Sequence, residues 1–254
     1  MIFDTHAHYD DEKFDPDRRE VLEGLFSSGV SGILNCATAI ENFDATLKLC
    51  EEYKGMYAAL GIHPSDCYRY KSMPDALSAL EYAIRGADVR ALGEIGLDYH
   101  YDFSPKEKQI PYFAAQLELA EKLGLPAVIH DREAHGDVFE HLRKFHGTAI
   151  IHSCSESAET VRQLCSKGHY ISFSGSVTFK NARSVREAAA AVPDELLLVE
   201  TDSPYMAPTP LRGTRNDSGN IRYIISALAD VRGTDPAHIE CITEQNAKRL
   251  LRVG

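Results

Sequence analysis

Short runs of aliphatic and β-branched residues alternate along this chain with longer segments in which apolar positions recur every three or four residues among charged ones. The short runs read as strands buried on both faces, and the longer segments as amphipathic helices with one face on a core. The pattern predicts strands at 2–8, 32–38, 56–63, 89–97, 126–131, 148–153, 170–177 and 196–202. Helices are predicted near 16–28, 42–53, 74–85, 106–123, 134–145, 157–167 and 182–191, with two more near 220–232 and 235–252. Several helical segments run into glycine, as in SSGV, IRGA, KLGL and SKGH, which fits a left-handed cap before the next strand. Strands alternating with helices in this way build parallel βα units. An open doubly wound sheet would place a glycine-rich turn after its first strand, but this first strand ends in His-Ala-His. The expectation is therefore α/β: a single (β/α)₈ TIM barrel with its active site at the C-terminal ends of the strands.

Length supports one domain spanning 1–254, since such barrels occupy about 250 residues. The chain contains 44% hydrophobic and 26% charged residues, an ordinary globular balance that supplies a large core. It contains no low-complexity tract and no repeat. The start, MIFDTHAHYDDEKFD, lacks the basic and apolar regions of a signal peptide, and no apolar run is long enough for a membrane span. Six cysteines without CxxC spacing suggest reduced thiols, and the protein is expected to be cytoplasmic. The formal charge of −11 argues against a general tracker of nucleic acid, because backbone affinity comes from Lys and Arg. A small basic cleft acting on a strand end stays compatible with that charge.

The candidate chemistry sits where the barrel would put it. His6 and His8 lie two apart on the first strand, so both imidazoles face the same way and can share an ion. Glu94 closes VRALGEIG, His130 closes PAVIH, His152 closes TAIIH and Asp202 closes LLLVETD. Any one of these could be a hydrogen-bonded rim residue. Six on one rim point to metal, because unpaired buried charges are costly. Four imidazoles and two carboxylates can hold two ions about 3.5–4 Å apart, with a carboxylate bridging them. Nitrogen and oxygen donors suit Zn, Mn, Fe, Co or Ni and tolerate Mg less well; the cofactor expected is two divalent ions, Zn, Mn or Mg.

His63, in LGIHP, either polarises substrate or caps the turn before Pro64. Glu200 shares a strand face with Asp202 and is either a partner of a ligand or a paired barrel residue. Lys180 and Arg212 follow the seventh and eighth strands, the phosphate corner of such barrels, and are the substrate-binding candidates beside the bland alternative of surface charge. His100, His135, His141, His146, His169 and His238 receive no role. Trp is absent, so base stacking would fall to Tyr99, Tyr101 or Tyr205, which read more simply as structural.

FDTHAHYD, LGIHP, LGEIGLDYHYD, PAVIHDREA, VTFKNA and VETDSPYMAPTPLRGTRN, in this order over essentially the whole chain, resemble the TatD-type metal-dependent deoxyribonucleases of the amidohydrolase superfamily. The resemblance implies a (β/α)₈ barrel that hydrolyses DNA as an endonuclease or 3′-5′ exonuclease. It implies that His6, His8 and Asp202 hold one metal and that His130 and His152 hold the other. Glu94 bridges the two ions, where related amidohydrolases use a modified lysine. Asp202 orients the attacking water and takes its proton, and His63 matches an active-site histidine. The catalytic set is therefore Asp202, Glu94 and His63. Two stretches depart from the family: HSCSES stands where HCFSGS is usual, so that Cys154 replaces an aromatic and Glu156 a glycine. RNDSGN lacks the usual proline.

The function expected is a two-metal phosphodiesterase cleaving DNA as an exonuclease on single strands or strand ends, with no membrane and no obligate protein partner. A second reading keeps the centre but acts on a carboxyl ester, amide or aminoacyl ester. A third, a non-catalytic binding barrel, would be expected to have lost ligands, and none is missing.

Overall fold

A computed structural model describes residues 1–101 and 103–254; Asp102, at the end of the LGEIGLDYHYD motif, lies outside them. Among the described residues, eight strands form one parallel sheet in sequential order: β1 (Ile2–Ala7), β2 (Val30–Cys36), β3 (Met56–Leu60), β4 (Val89–Asp98), β5 (Ala127–Arg132), β6 (Ala149–Ile151), β7 (Tyr170–Phe173) and β8 (Leu197–Val199). The helices are α1 (Arg18–Ser27), α2 (Phe43–Glu52), α3 (Met73–Gly86), α4 (Lys106–Leu123), α5 (His135–Leu142), α6 (Ala158–Ser166), α7 (Arg183–Ala191), α8 (Ile221–Arg232) and α9 (Pro236–Leu251). The sheet curls into a nearly closed barrel, the fold the alternation predicts. None of the described helices is long and apolar enough to cross a membrane.

Several strands stop short of their apolar runs. β8 ends at Val199 rather than at 202 because the next backbone groups bond elsewhere. Thr201 N–H donates to the Asp4 carboxylate (3.0 Å), and Asp202 N–H donates to the His6 carbonyl (2.9 Å). These bonds, with His8 N–H to Ser203 O (2.7 Å) and a lone parallel bridge between Ala7 and Ser203, close the seam between first and last strands. Asp4 is fully buried beneath that seam and also accepts from the Thr201 and Ser218 hydroxyls at 2.6 and 2.7 Å. Burial raises its carboxyl to about 7 against the lowering pull of those hydrogen bonds.

Of the four glycines read as helix caps, Gly29, Gly124 and Gly168 adopt positive φ. Gly86 differs: it is the last residue of α3, and the chain leaves the helix through extended Ala87 without a left-handed turn.

Inward-facing Phe3, Leu34, Ala59, Ala91, Val128, Ile150 and Leu198 fill the barrel, and Ala247 and Leu251 of α9 plug its lower end. The larger apolar layer lies between sheet and helices. Polar side chains also tie this layer to the rim. Gln116 of α4 grips Ile62, accepting from its N–H (2.8 Å) and donating to its carbonyl (3.0 Å). Gln109, two turns earlier, does the same to Asp98 at 2.9 and 2.8 Å. α4 therefore fixes the backbone beside His63 and at the end of β4. Gly96 has φ +148°, and a Cβ there would sit 2.0 Å from the His130 carbonyl oxygen. Only glycine lets β4 approach β5 so closely at this level.

Candidate metal centre

The six rim residues converge. Glu94, on β4 and 3% exposed, stands between two histidine pairs. Its Oε2 is 3.3 Å from His6 Nε2 and 3.6 Å from His8 Nε2. Its Oε1 is 2.7 Å from His130 Nδ1 and 3.1 Å from His152 Nε2. Asp202 Oδ1 lies nearest the first pair, 3.4 Å from His8 Nε2 and 3.8 Å from His6 Nε2, and its carboxylate also comes within 4.8 Å of ring nitrogens of both His6 and His152. Asp202 holds a left-handed backbone (φ 59°), which aspartate tolerates at roughly 1 kcal/mol and which the seam bond from its N–H enforces.

Hydrogen bonds on the far side of each ring decide what faces the centre. His8 Nδ1 lies 2.7 Å from the Cys36 carbonyl, to which it donates, so Nε2 presents a lone pair. His130 is reversed: Nε2 donates to Asp98 Oδ2 (3.1 Å), leaving Nδ1 toward Glu94. His152 donates from Nδ1 to fully buried Glu200 Oε1 (3.0 Å), which also accepts from Ser153 N–H (2.7 Å). Four imidazoles and two carboxylates thus aim acceptors at one another, and acceptors at such distances need positive charge between them. His6 Nδ1, wholly buried, has no partner among the described residues. This donor set fits divalent ions. Where protons serve instead, burial opposes the charge on His130, but hydrogen bonds to Asp98 and Glu94 still raise its pKa. Burial likewise opposes a charge on His152, yet Glu94 and Glu200 raise it well above the ordinary value.

His63 takes the second of its sequence readings, the turn cap, with its ring beside Glu94. Ser65 N–H donates to its Nδ1 (3.1 Å), capping the turn. Its neutral ring then carries hydrogen on Nε2, 3.6 Å from Glu94 Oε1. Burial lowers its pKa despite the pull of Glu94. With Glu94 and His130 it forms a group whose ligand atoms lie within 4.8 Å of one another.

The cleft above holds about 950 Å³ and is lined by His8, His63, Glu94, His130, His152 and Asp202 at its floor. Three cations at its mouth each cover an aromatic ring: Lys13 over Tyr205 (4.0 Å), Arg132 over Tyr101 (4.8 Å) and Arg212 over Phe179 (4.1 Å). Arg212 therefore takes the predicted corner. Lys180, one residue beyond Phe179, is exposed and lies outside the lining of the cleft. Tyr101 and Tyr205 line the cleft, whereas Tyr99 bonds to Asp137 (2.6 Å) beneath Lys106. Sequence reasoning missed Lys13, Arg132 and Asp98. For Asp98 a signal existed: it lies four residues beyond Glu94 on one strand, hence on the same face.

The two departures have different fates. In RNDSGN, Asn216 clamps the Thr201 and Tyr205 carbonyls (3.0 and 2.8 Å), and Ser218 joins Asp4 and Tyr9. That stretch is scaffold. In HSCSES, Cys154 is buried in the apolar layer, and Glu156 turns inward toward His135.

Barrel and rim together define a metal-dependent hydrolase. A family model described as TatD related DNase matches residues 3–252. YabD of Bacillus subtilis (strain 168), an uncharacterized metal-dependent hydrolase, is 37% identical over 257 residues, with 100% of both chains covered. The 3'-5' ssDNA/RNA exonuclease TatD of Citrobacter koseri is 32% identical over 263 residues, again covering 100% of each. The crystal structure of YJJV, a TatD homolog from Escherichia coli K12, superposes with a TM-score of 0.92 at 31% identity, covering 100% of this chain and 98% of that one. The chain belongs to the TatD-related DNase family.

Proposed function

We propose that residues 1–254 work as a single hydrolase barrel that uses two divalent ions to cleave phosphodiester bonds of DNA, as an exonuclease on single strands or strand ends. The observation that carries this reading is Glu94, whose two carboxylate oxygens each face a different histidine pair. His6, His8 and Asp202 would hold one ion and His130 and His152 the other, with Glu94 placed between the two pairs to serve both. Zn, Mn or Mg would supply Lewis acidity toward phosphate oxygens and make water acidic near neutral pH.

The chain's own groups supply the rest. Asp202, 18% exposed at the side chain and the most open of the six, orients the attacking water and accepts its proton. Burial opposes ionisation, but in the metal-free protein protons on His8 and on the neighbouring histidines hold its carboxyl below the usual range. His63 donates its Nε2 hydrogen to a phosphate oxygen, complementing charge that grows during displacement. Lys13, Arg132 and Arg212 give the mouth positive charge within a chain of net −11, which suits a strand end better than a long duplex. A reducing, cytoplasmic setting suits six free cysteines, and no obligate protein partner is invoked.

The test is end-labelled single-stranded DNA incubated with metal-stripped protein re-supplied with Mn, Mg or Zn, beside Glu94→Ala. Metal-dependent cleavage absent from the variant is expected, and the fragment ladder gives polarity. Stoichiometric metal binding without cleavage under any metal would overturn the nuclease reading and move the substrate to a carboxyl ester or amide.

A further inference from the structure

One step outward from the centre, three more donors meet. Asp131 follows His130 on β5, His135 opens α5, and Glu156 comes from the loop between β6 and α6. Their donor atoms lie within 4.8 Å of one another. His135 Nδ1 is 3.0 Å from Asp131 Oδ2 and 2.9 Å from Glu156 Oε1. A ring nitrogen carries at most one hydrogen and cannot serve both oxygens. Asp131, 3% exposed at the side chain, is left with Oδ2 lacking any hydrogen-bond partner among the described residues. Two such carboxylates on one ring nitrogen need positive charge between them, which either a proton on His135, whose pKa they raise to about 10, or a cation in its place supplies.

We propose that Asp131, His135 and Glu156 form a further site for a divalent transition-metal ion, separate from the six-residue centre. One nitrogen and two carboxylate oxygens favour Zn, Mn, Co or Ni over Mg, with a further position open to water. Asp131 Oδ1 is already steadied by Ala134 N–H (3.3 Å), the kind of outer contact that orients a ligand. His135 is 44% exposed, which gives the ion a route in from solvent. Asp131 and Ser155 line the same cleft as the central residues. An ion here offsets the charges of Asp131 and of Glu156, the added acid of HSCSES. The site does not rest on the nuclease reading.

The test counts ions. Metal-stripped protein is loaded with Zn, desalted and assayed for bound metal per chain, for wild type, Glu156→Gly, Glu156→Gln, His135→Ala and Glu94→Ala. Wild type should hold one ion more than Glu156→Gly and His135→Ala, and Glu94→Ala should keep that extra ion. Circular dichroism confirms that each variant is folded, and the near-isosteric Glu156→Gln covers the case in which the others are not. Loading Glu94→Ala with Co should give a visible spectrum that loses one ion's contribution when His135→Ala is added. Equal Zn counts in wild type and folded Glu156 and His135 variants would overturn the site. Failure of the two-ion centre would lower all counts alike and leave the difference of one intact.

Discussion

His6 and His8 sit on the barrel seam with no carboxylate behind either ring, whereas His130 and His152 are each backed by a buried carboxylate. His8 leans on the Cys36 carbonyl, and His6 packs against rings alone, stacked on His152 (centroids 4.0 Å apart) and edge-on to His8 (4.8 Å). Across Glu94, Asp98 holds His130 and Glu200 holds His152. A carboxylate behind an imidazole makes the opposite nitrogen a stronger donor, and a neutral carbonyl does so less. The compensation on the seam side is Asp202, a carboxylate in direct reach of the ion position. Both halves thus receive negative charge, one in contact and one from behind. Asp202 is also the most exposed of the six at the side chain (18%), where a proton acceptor is useful.

This asymmetry can be broken in steps. Glu94→Ala removes the group common to both halves, and kcat/KM on an end-labelled oligonucleotide should fall on the order of 10³-fold or more. Residual activity within tenfold of wild type would show that the carboxylate is not shared. Asp98→Asn and Glu200→Gln touch one half only. Each should weaken one of the two central ions by roughly 10–100-fold in a calorimetric Zn titration and leave the other unmoved. Equal weakening of both would erase the distinction between the halves.

A smaller effect concerns the foundations of the His152 side. His169 accepts from Ala149 N–H (3.2 Å) at the start of β6, and burial lowers its pKa to about 4. A histidine depressed in the folded state is protonated first in the unfolded chain, so its stabilising share is present above about 6.5 and lost as pH falls toward 4. Between pH 7.5 and 5 it should cost about 2 kcal/mol of unfolding free energy in metal-stripped protein. A urea titration at the two pH values reads this, and His169→Asn should flatten the slope by that amount. Least of all, Ser157→Ala removes the cap on Thr160 N–H at the start of α6. It should cost about 1 kcal/mol and change neither metal affinity, which makes it the control for the others.

The barrel and the rim histidines were legible because both obey short-range rules. Strand and helix periods repeat locally, and an ionisable residue after an apolar run stands out. The supporting groups obey no such rule. Gln109 and Gln116 sit inside a helix that reads as apolar packing, and their partners, Asp98 and Ile62, belong to other elements. Asp4 is one polar residue in a buried strand, and only the fold reveals that Thr201 and Ser218 come to it. Strand ends were misjudged at 177 and 202 for a related reason. Hydropathy records burial, whereas ladder pairing depends on what the neighbouring backbone offers. Lys13 and Arg132 were invisible because nothing in the sequence marks which surface cations overhang a cleft.

The seam also sets a timetable. Asp4 and Thr201, which tie it, stand about 200 residues apart, the most distant kind of contact and the slowest to form. A chain made N-terminus first at roughly 5–20 residues per second carries His6 and His8 for roughly 10–40 s before Asp202 exists. A prematurely terminated or clipped chain that lacks the last strand keeps all four imidazoles and Glu94, but neither the seam nor the base. Such fragments lack the group proposed as base, and under that proposal they are expected to collect metal without hydrolysing DNA.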